Sequence, residues 1–243
     1  MMKELKKRVF RQNIRLAESG LIVLTWGNVS GIDREKGLVC IKPSGVPYET
    51  MTEEDMVVVD MDGNVVDGKY RPSSDTPTHL YLYKQFENIS GIVHTHSAYA
   101  TAWAQAGKDI PAYGTTHADA FYGDVPCSRA LTKSEIERDY EHNTGVVIAE
   151  AFEDKDYNAI PAVLVKNHGP FTWGKTPEKA VDNAITLEEV AKMALFTEQI
   201  NPSAPRVDEC LLEKHYSRKH GKNAYYGQAG NAPRRGRQAP AGE

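Results

Sequence analysis

Gly91-Ile92-Val93-His94-Thr95-His96-Ser97 is the stretch on which the reading of this chain turns. Ile92 and Val93 read as the end of a buried strand, with polar residues arriving as that strand runs out. Residues two apart on a strand point to one face, so His94 and His96 can present two imidazoles to a single point. Two imidazoles converging at a strand end make a metal half-site, with zinc the first candidate. The plainer alternative is two partly buried histidines bonded to backbone, and the pair alone does not choose.

Two further segments change the balance. Asp75 lies upstream in Arg71-Pro72-Ser73-Ser74-Asp75-Thr76-Pro77, a turn that opens a helix. His168 lies downstream in Val163-Leu164-Val165-Lys166-Asn167-His168-Gly169-Pro170, again just past an apolar strand. Three histidines and a carboxylate suit a four-coordinate divalent site, or a three-histidine site whose carboxylate gives way to substrate. Helix capping would also account for Asp75. His79 reads as an ordinary helix residue, and His117 could be ligand or structural.

Upstream, Leu5, Val9, Leu16 and Ala17 mark a first helix ended near Gly20. Leu21-Ile22-Val23-Leu24 is strand material leading to Thr25-Trp26-Gly27-Asn28-Val29-Ser30-Gly31, read as a tight turn or a ligand-facing loop. Leu38 to Ile41 is a short strand delivering Lys42-Pro43-Ser44-Gly45, whose cation, hydroxyl and glycine suit a phosphate cradle without the P-loop pattern. Ser73 and Ser74 at the following helix start could hold the same anion. Met56 to Asp60 is strand-like, and Asp62-Gly63 signals a hairpin into Asn64-Val65-Val66.

Downstream, Ala98 to Ala106 reads as an alanine-rich helix. Thr132-Lys133-Ser134-Glu135 is a capping-box start for a helix to about Phe152, with Gly145 weakening its middle. Pro161 to Lys166 is a strand that Phe171-Thr172-Trp173 pairs with, and Thr176-Pro177-Glu178 opens the longest helix, to about Thr197. A basic and aromatic cluster runs from Lys214 to Tyr226, either a solvated helix end or a reach toward a phosphorylated substrate. Glycine, proline, alanine and arginine then predict a disordered tail over 229–243 beyond a domain of 1–228.

At 243 residues without a Pro/Gly/Ser-rich linker or internal repeat, one domain is expected. A net charge of −4 gives no general pull toward nucleic acid or membrane. Cys40, Cys127 and Cys210 are isolated, which argues against a disulfide framework or thiolate metal site. The charged N-terminus lacks a signal-peptide apolar core, and no apolar run could span a bilayer, so a reducing cytoplasm is expected. No His-Glu-x-x-His helix is present to support a zinc hydrolase.

Gly27-Asn28-Val29-Ser30, Lys42-Pro43-Ser44-Gly45, Ser73-Ser74-Asp75-Thr76, His94-Thr95-His96 and Asn167-His168-Gly169, in that order, resemble the class II sugar-phosphate aldolase/epimerase superfamily. Arg218-Lys219-His220-Gly221 and Ala224-Tyr225-Tyr226-Gly227-Gln228 are similar to its epimerase branch, and the resemblance covers about residues 3–228. It implies a single α/β domain in three layers, a central, mainly antiparallel sheet flanked by helices. It implies one zinc ion per subunit on His94, His96 and His168, with Asp75 at the fourth position. Asn28, Lys42, Ser44, Gly45, Ser73 and Ser74 would bind phosphate, with Arg218 near the substrate. Asp119 and Tyr226 would be an acid/base pair lent by the next subunit of a homotetramer. The implied reaction inverts C4 of a phosphorylated ketopentose by cleaving and re-forming the C3–C4 bond. The rivals are an aldolase that releases the fragments and a non-catalytic interaction domain of the same fold, as in the adducin head.

Overall fold

A computed structural model describes residues 2–226, so the expected tail over 229–243 lies outside the described residues. Seven short strands build one sheet: β1 (Asn28–Asp33), β2 (Leu38–Ile41), β3 (Val57–Asp60), β4 (Val65–Asp67), β5 (Gly91–His94), β6 (Ala162–Val165) and β7 (Gly169–Gly174). Their order is β4-β3-β2-β1-β5-β7-β6, and every pairing is antiparallel. The central strands are short apolar runs because both faces of the sheet are covered. Alternation along them divides the core. Val57 and Val59 of β3 point into the largest apolar cluster with Ile92 of β5, whereas Val58 joins Val9 and Cys40 on the other side.

Helices α1 (Met2–Glu18) and α6 (Pro177–Ile200) cover one face. There Leu16, Val29, Val93, Ala180 and Val181 pack together. The other face carries α2 (Thr76–Gln85), α3 (Ala98–Ala106) and α5 (Lys133–Glu150), with Leu80, Leu82, Trp103, Val147 and Ile148 in its core. Two further helices, α4 (Thr115–Ala118) and α7 (Glu209–His220), pack on each other. The result is the three-layer α/β architecture that the resemblance implies. No helix among the described residues is long and apolar enough to cross a membrane.

The main departure from the sequence reading is at β1. Asn28-Val29-Ser30-Gly31, read as a turn or loop, is a central strand paired with β2 and β5, while Leu21–Leu24 forms no strand and leaves Val23 and Leu24 exposed. Polar residues survive inside the sheet because each finds a partner. Ser30 Oγ bonds His79 Nδ1 at 2.7 Å and Tyr83 Oη at 2.9 Å. The Asn13 side chain from α1 closes on both the N–H and C=O of Val29, at 2.9 and 3.0 Å. His79 is therefore a buried anchor, and its ring is held neutral by burial, with a pKa lowered to about 3.

Helix α5 begins as expected, with Thr132 and Glu135 forming a reciprocal capping box. Its weak point is not Gly145 but Asp139, whose backbone leaves helical geometry (φ −158°, ψ 76°) and kinks the element. Gly145 is required by packing instead: a Cβ there would lie 2.9 Å from the Tyr81 Cβ on α2. α5 and α2 can cross this closely only without that side chain.

Candidate metal centre and substrate pocket

β5 runs between β1 and β7, and the register sets Asn28, His94 and Phe171 side by side across the three strands. His94 stacks on Phe171 with ring centroids 4.2 Å apart, and its Nδ1 lies 3.0 Å from the Pro170 carbonyl. Nδ1 therefore carries the proton and Nε2 keeps a lone pair. Past the strand end, His96 turns its Nε2 to within 3.1 Å of the His94 Nε2. The chain then enters α3, whose first amides, Tyr99 N–H and Ala100 N–H, donate to the buried Glu188 carboxylate of α6 at 2.8 and 3.0 Å. This outside cap fixes the exit from the histidine pair. His168 arrives from the β6–β7 connection, where Asn167 adopts φ 65°, a left-handed conformation that asparagine tolerates.

One ligand atom from each of His94, His96 and His168 lies within 4.8 Å of the others. Burial lowers the pKa of His96, and it lowers that of His168 to about 3, so both keep free lone pairs at neutral pH. Two nitrogens bound tetrahedrally to one zinc ion stand about 3.3 Å apart, close to the His94–His96 spacing. The donor set fits a divalent metal.

Asp75 stands at the same pocket but outside that cluster of nitrogens. It opens α2 without capping it, and its Oδ2 instead accepts a 2.6 Å hydrogen bond from Asn28 Nδ2. Burial pushes this carboxyl up, yet the Asn28 bond favours its ionised form and it lies below the ordinary range. Asn28 also donates to Ser73 Oγ at 3.1 Å, and its own Oδ1 is buried without a partner among the described residues.

The loops carrying Lys42-Pro43-Ser44-Gly45 and Arg71-Pro72-Ser73-Ser74 are stitched together by Ser44 N–H to Arg71 O (3.0 Å) and Ser73 N–H to Lys42 O (2.9 Å). That stitching brings Ser44, Gly45, Ser73 and Ser74 into one pocket of about 390 Å³ together with His94, His96, His168 and Asp75. Gly27 closes the base. Its φ is 102°, and a Cβ would lie 2.7 Å from the His94 carbonyl. Lys42 lines the same pocket. Its Nζ is buried against Tyr48 and donates to Val46 O at 2.8 Å and Pro43 O at 3.3 Å, and burial lowers its pKa to about 8.

Among the lining residues that the sequence reading did not assign to the site are Trp26, Tyr140 and Glu141. Trp26 lies 6.1 Å from His96, ring to ring, and Tyr140 Oη is 3.3 Å from His168 Nδ1. Trp26 had a signal, its place in the glycine-flanked stretch before Asn28. Tyr140 and Glu141 had none, because no proline or other helix breaker in α5 signals the kink at Asp139. His117 is structural, with Nε2 donating to Gly123 O at 2.7 Å.

Asp119, Arg218 and Tyr226 are not among the pocket's lining residues, but they are close to one another. Asp119 closes α4 and takes hydrogen bonds from Arg218 Nη2 (2.7 Å) and His215 Nδ1 (3.0 Å), with Lys219 Nζ at 3.2 Å. Tyr226 lies over the same cations, its ring centre 4.8 Å from the Arg218 guanidinium carbon and 4.5 Å from Lys219 Nζ. The basic cluster at the end of α7 is thus organised around one carboxylate.

The chain belongs to the class II aldolase and adducin N-terminal domain family, whose model matches residues 7–195. It is 58% identical over 227 residues to the L-ribulose-5-phosphate 4-epimerase UlaF of Salmonella paratyphi B, covering 93% of this chain and all of that one. The protein of the same name from Salmonella choleraesuis is 59% identical over the same shares. Among solved structures, an L-fuculose 1-phosphate aldolase superposes with a TM-score of 0.76 at 30% identity, over 88% of this chain and 95% of its own. The L-fuculose 1-phosphate aldolase from Glaciozyma antarctica PI12 gives 0.73 at 25% identity, over 88% and 81%.

Burial alone would push the Asp119 carboxyl up, but the bonds from Arg218, His215 and Lys219 hold it down at about 2. Its folded pKa thus lies below its unfolded value of about 3.9, so the ionised form stabilises the fold. That contribution is complete above about pH 4 and is lost as pH falls toward 2. The urea midpoints of wild type and Asp119→Asn should therefore differ most at pH 5 and converge on titration toward pH 3. A difference independent of pH would contradict this.

Proposed function

We propose that this chain is an L-ribulose-5-phosphate 4-epimerase, interconverting L-ribulose 5-phosphate and D-xylulose 5-phosphate. The observation that carries the reading is the pairing, in one pocket, of a three-imidazole cluster with two stitched serine-bearing loops. Such a pocket suits a phosphorylated sugar whose reacting oxygens face a metal. The choice of epimerase over aldolase follows the 58–59% identity to proteins named for that epimerisation, against 30% or less for the aldolase structures.

The 4-carbon of a ketopentose has no acidic proton, so inversion by simple deprotonation is closed. Removing the proton from the C4 hydroxyl lets the C3–C4 electron pair move toward C2, leaving an enediolate and glycolaldehyde phosphate. The aldehyde turns, C3 adds to its opposite face, and the new C4 oxygen takes a proton back. Zinc on His94, His96 and His168, with Asp75 completing the set before substrate arrives, would supply Lewis-acid stabilisation of the enediolate charge. Ser44, Gly45, Ser73 and Ser74 hold the phosphate, so the aldehyde fragment cannot leave while it turns, with the Lys42 charge behind them. The unpartnered Asn28 Oδ1 is an acceptor for a substrate hydroxyl.

Asp119 and Tyr226 act on the two faces of the aldehyde, each contributing about 10²–10⁴-fold to proton transfer. They do so from the neighbouring subunit, in a head-to-tail homotetramer working in the cytoplasm. This fits their place around Arg218 and Lys219 rather than at the metal pocket of their own chain. In that setting the substrate must loosen the Arg218 grip before Asp119 can take a proton.

Incubation with L-ribulose 5-phosphate should yield D-xylulose 5-phosphate with almost no free glycolaldehyde phosphate. Stoichiometric release of the two fragments would instead make the protein an aldolase. The assembly has its own test. His94→Asn and Tyr226→Phe proteins, each inactive, should regain activity when unfolded and reassembled together, with roughly a quarter of the sites whole. Mixed tetramers seen by native mass spectrometry but no more active than their parents would put the whole site within one chain.

A further inference from the structure

We propose that Tyr140 is a positioning residue for His168, setting its tautomer and ring angle from the kinked helix α5. This rests on the reading of His168 as a metal ligand. Two of the three histidines already have visible constraints: His94 has Pro170 O on Nδ1, and His96 leaves β5 into a helix capped by Glu188. His168 sits in the connection between β6 and β7, whose backbone is held by Asn167 N–H to Ala104 O (3.0 Å) and His168 N–H to Val165 O (2.9 Å), so the ring angle is left to the partners of the side chain itself. The Tyr140 Oη, 3.3 Å from its Nδ1, is the group available to hold it. With Nδ1–H donating to the phenol oxygen, Nε2 keeps its lone pair, as in His94.

The reach of Tyr140 depends on the break at Asp139. An unbroken helix would carry the side chain on a different bearing, and one side chain spans the break while two more anchor the turn that follows it. Asn143 Nδ2 donates across it to Glu135 O at 2.9 Å, Thr144 Oγ1 to Tyr140 O at 2.9 Å, and the buried Thr78 of α2 to Glu141 O. A kink clamped from within and from a neighbouring helix is a built feature. Its consequence at the site is the phenol on His168.

Tyr140→Phe removes only the hydroxyl, keeps the ring and tests the assignment directly. Outer partners of ligating histidines typically change metal affinity about 10–100-fold, so competition with a chelator should show Zn²⁺ binding weaker by at least 10-fold. Nitrogen-15 NMR of the zinc-loaded proteins should show His168 as a single Nδ1–H tautomer in wild type and a mixed or mobile ring in the variant. The urea midpoint should stay close to wild type, which separates positioning from a loss of fold. Equal zinc affinity and the same His168 tautomer in both proteins would overturn the proposal while leaving the metal reading intact. A wild-type protein that binds no zinc would overturn both.

Discussion

The antiparallel pairing of β5 between β1 and β7 is the constraint on which the other features depend. It sets His94 directly between Asn28 and Phe171, and it brings the Pro170 carbonyl onto Nδ1. One register therefore decides which imidazole nitrogen is free and where it points. A slip of one residue would turn His94 to the opposite face, toward α1 and α6. Everything else at the pocket is arranged against that fixed ring. Asn28 reaches from the neighbouring strand to Asp75, and the His79–Ser30–Tyr83 group fills the space beneath.

The polar residues fall into two groups with different electrostatics. Around His94 they lean on one another at a partly open pocket, with His94 buried, His168 half-buried and His96 exposed. Desolvation lowers the pKa of His96 and His168, so the pocket keeps its lone pairs. Around Asp119 a carboxylate is gripped by Arg218, Lys219 and His215 near the end of α7. On the proposed reading, the first arrangement would receive a cation and an anionic substrate. The second holds charge in reserve until something competes for Arg218 and Lys219. The division suits a reaction in which charge develops on one fragment while protons move on the other.

Much of the first group was legible in the sequence because its residues sit where elements end. His94 and His168 follow apolar runs, and Ser73 to Thr76 carry the chemistry of a helix start. The fold class came through the resemblance rather than through periodicity, since strands of three to six residues give little pattern to read. Asn28 and Ser30 hid a central strand because polar side chains and glycines are poor strand formers. Only the distant partners explain why they are tolerated, Asp75 and Ser73 for Asn28, His79 and Tyr83 for Ser30. Tyr140 and Glu141 were invisible because no helix breaker in α5 signals the kink at Asp139. Lys42 had the right residue type for an anion site and lines the pocket, where its ammonium bonds its own loop.

The central claim is that the three imidazoles hold one divalent ion through nitrogen. X-ray absorption at the zinc edge of the purified, zinc-loaded protein tests it most directly. The account predicts one zinc per chain, in a first shell of three imidazole nitrogens at about 2.0–2.1 Å with oxygen completing it. A shell dominated by sulfur at about 2.3 Å, or zinc bound with fewer than two imidazoles, would contradict it.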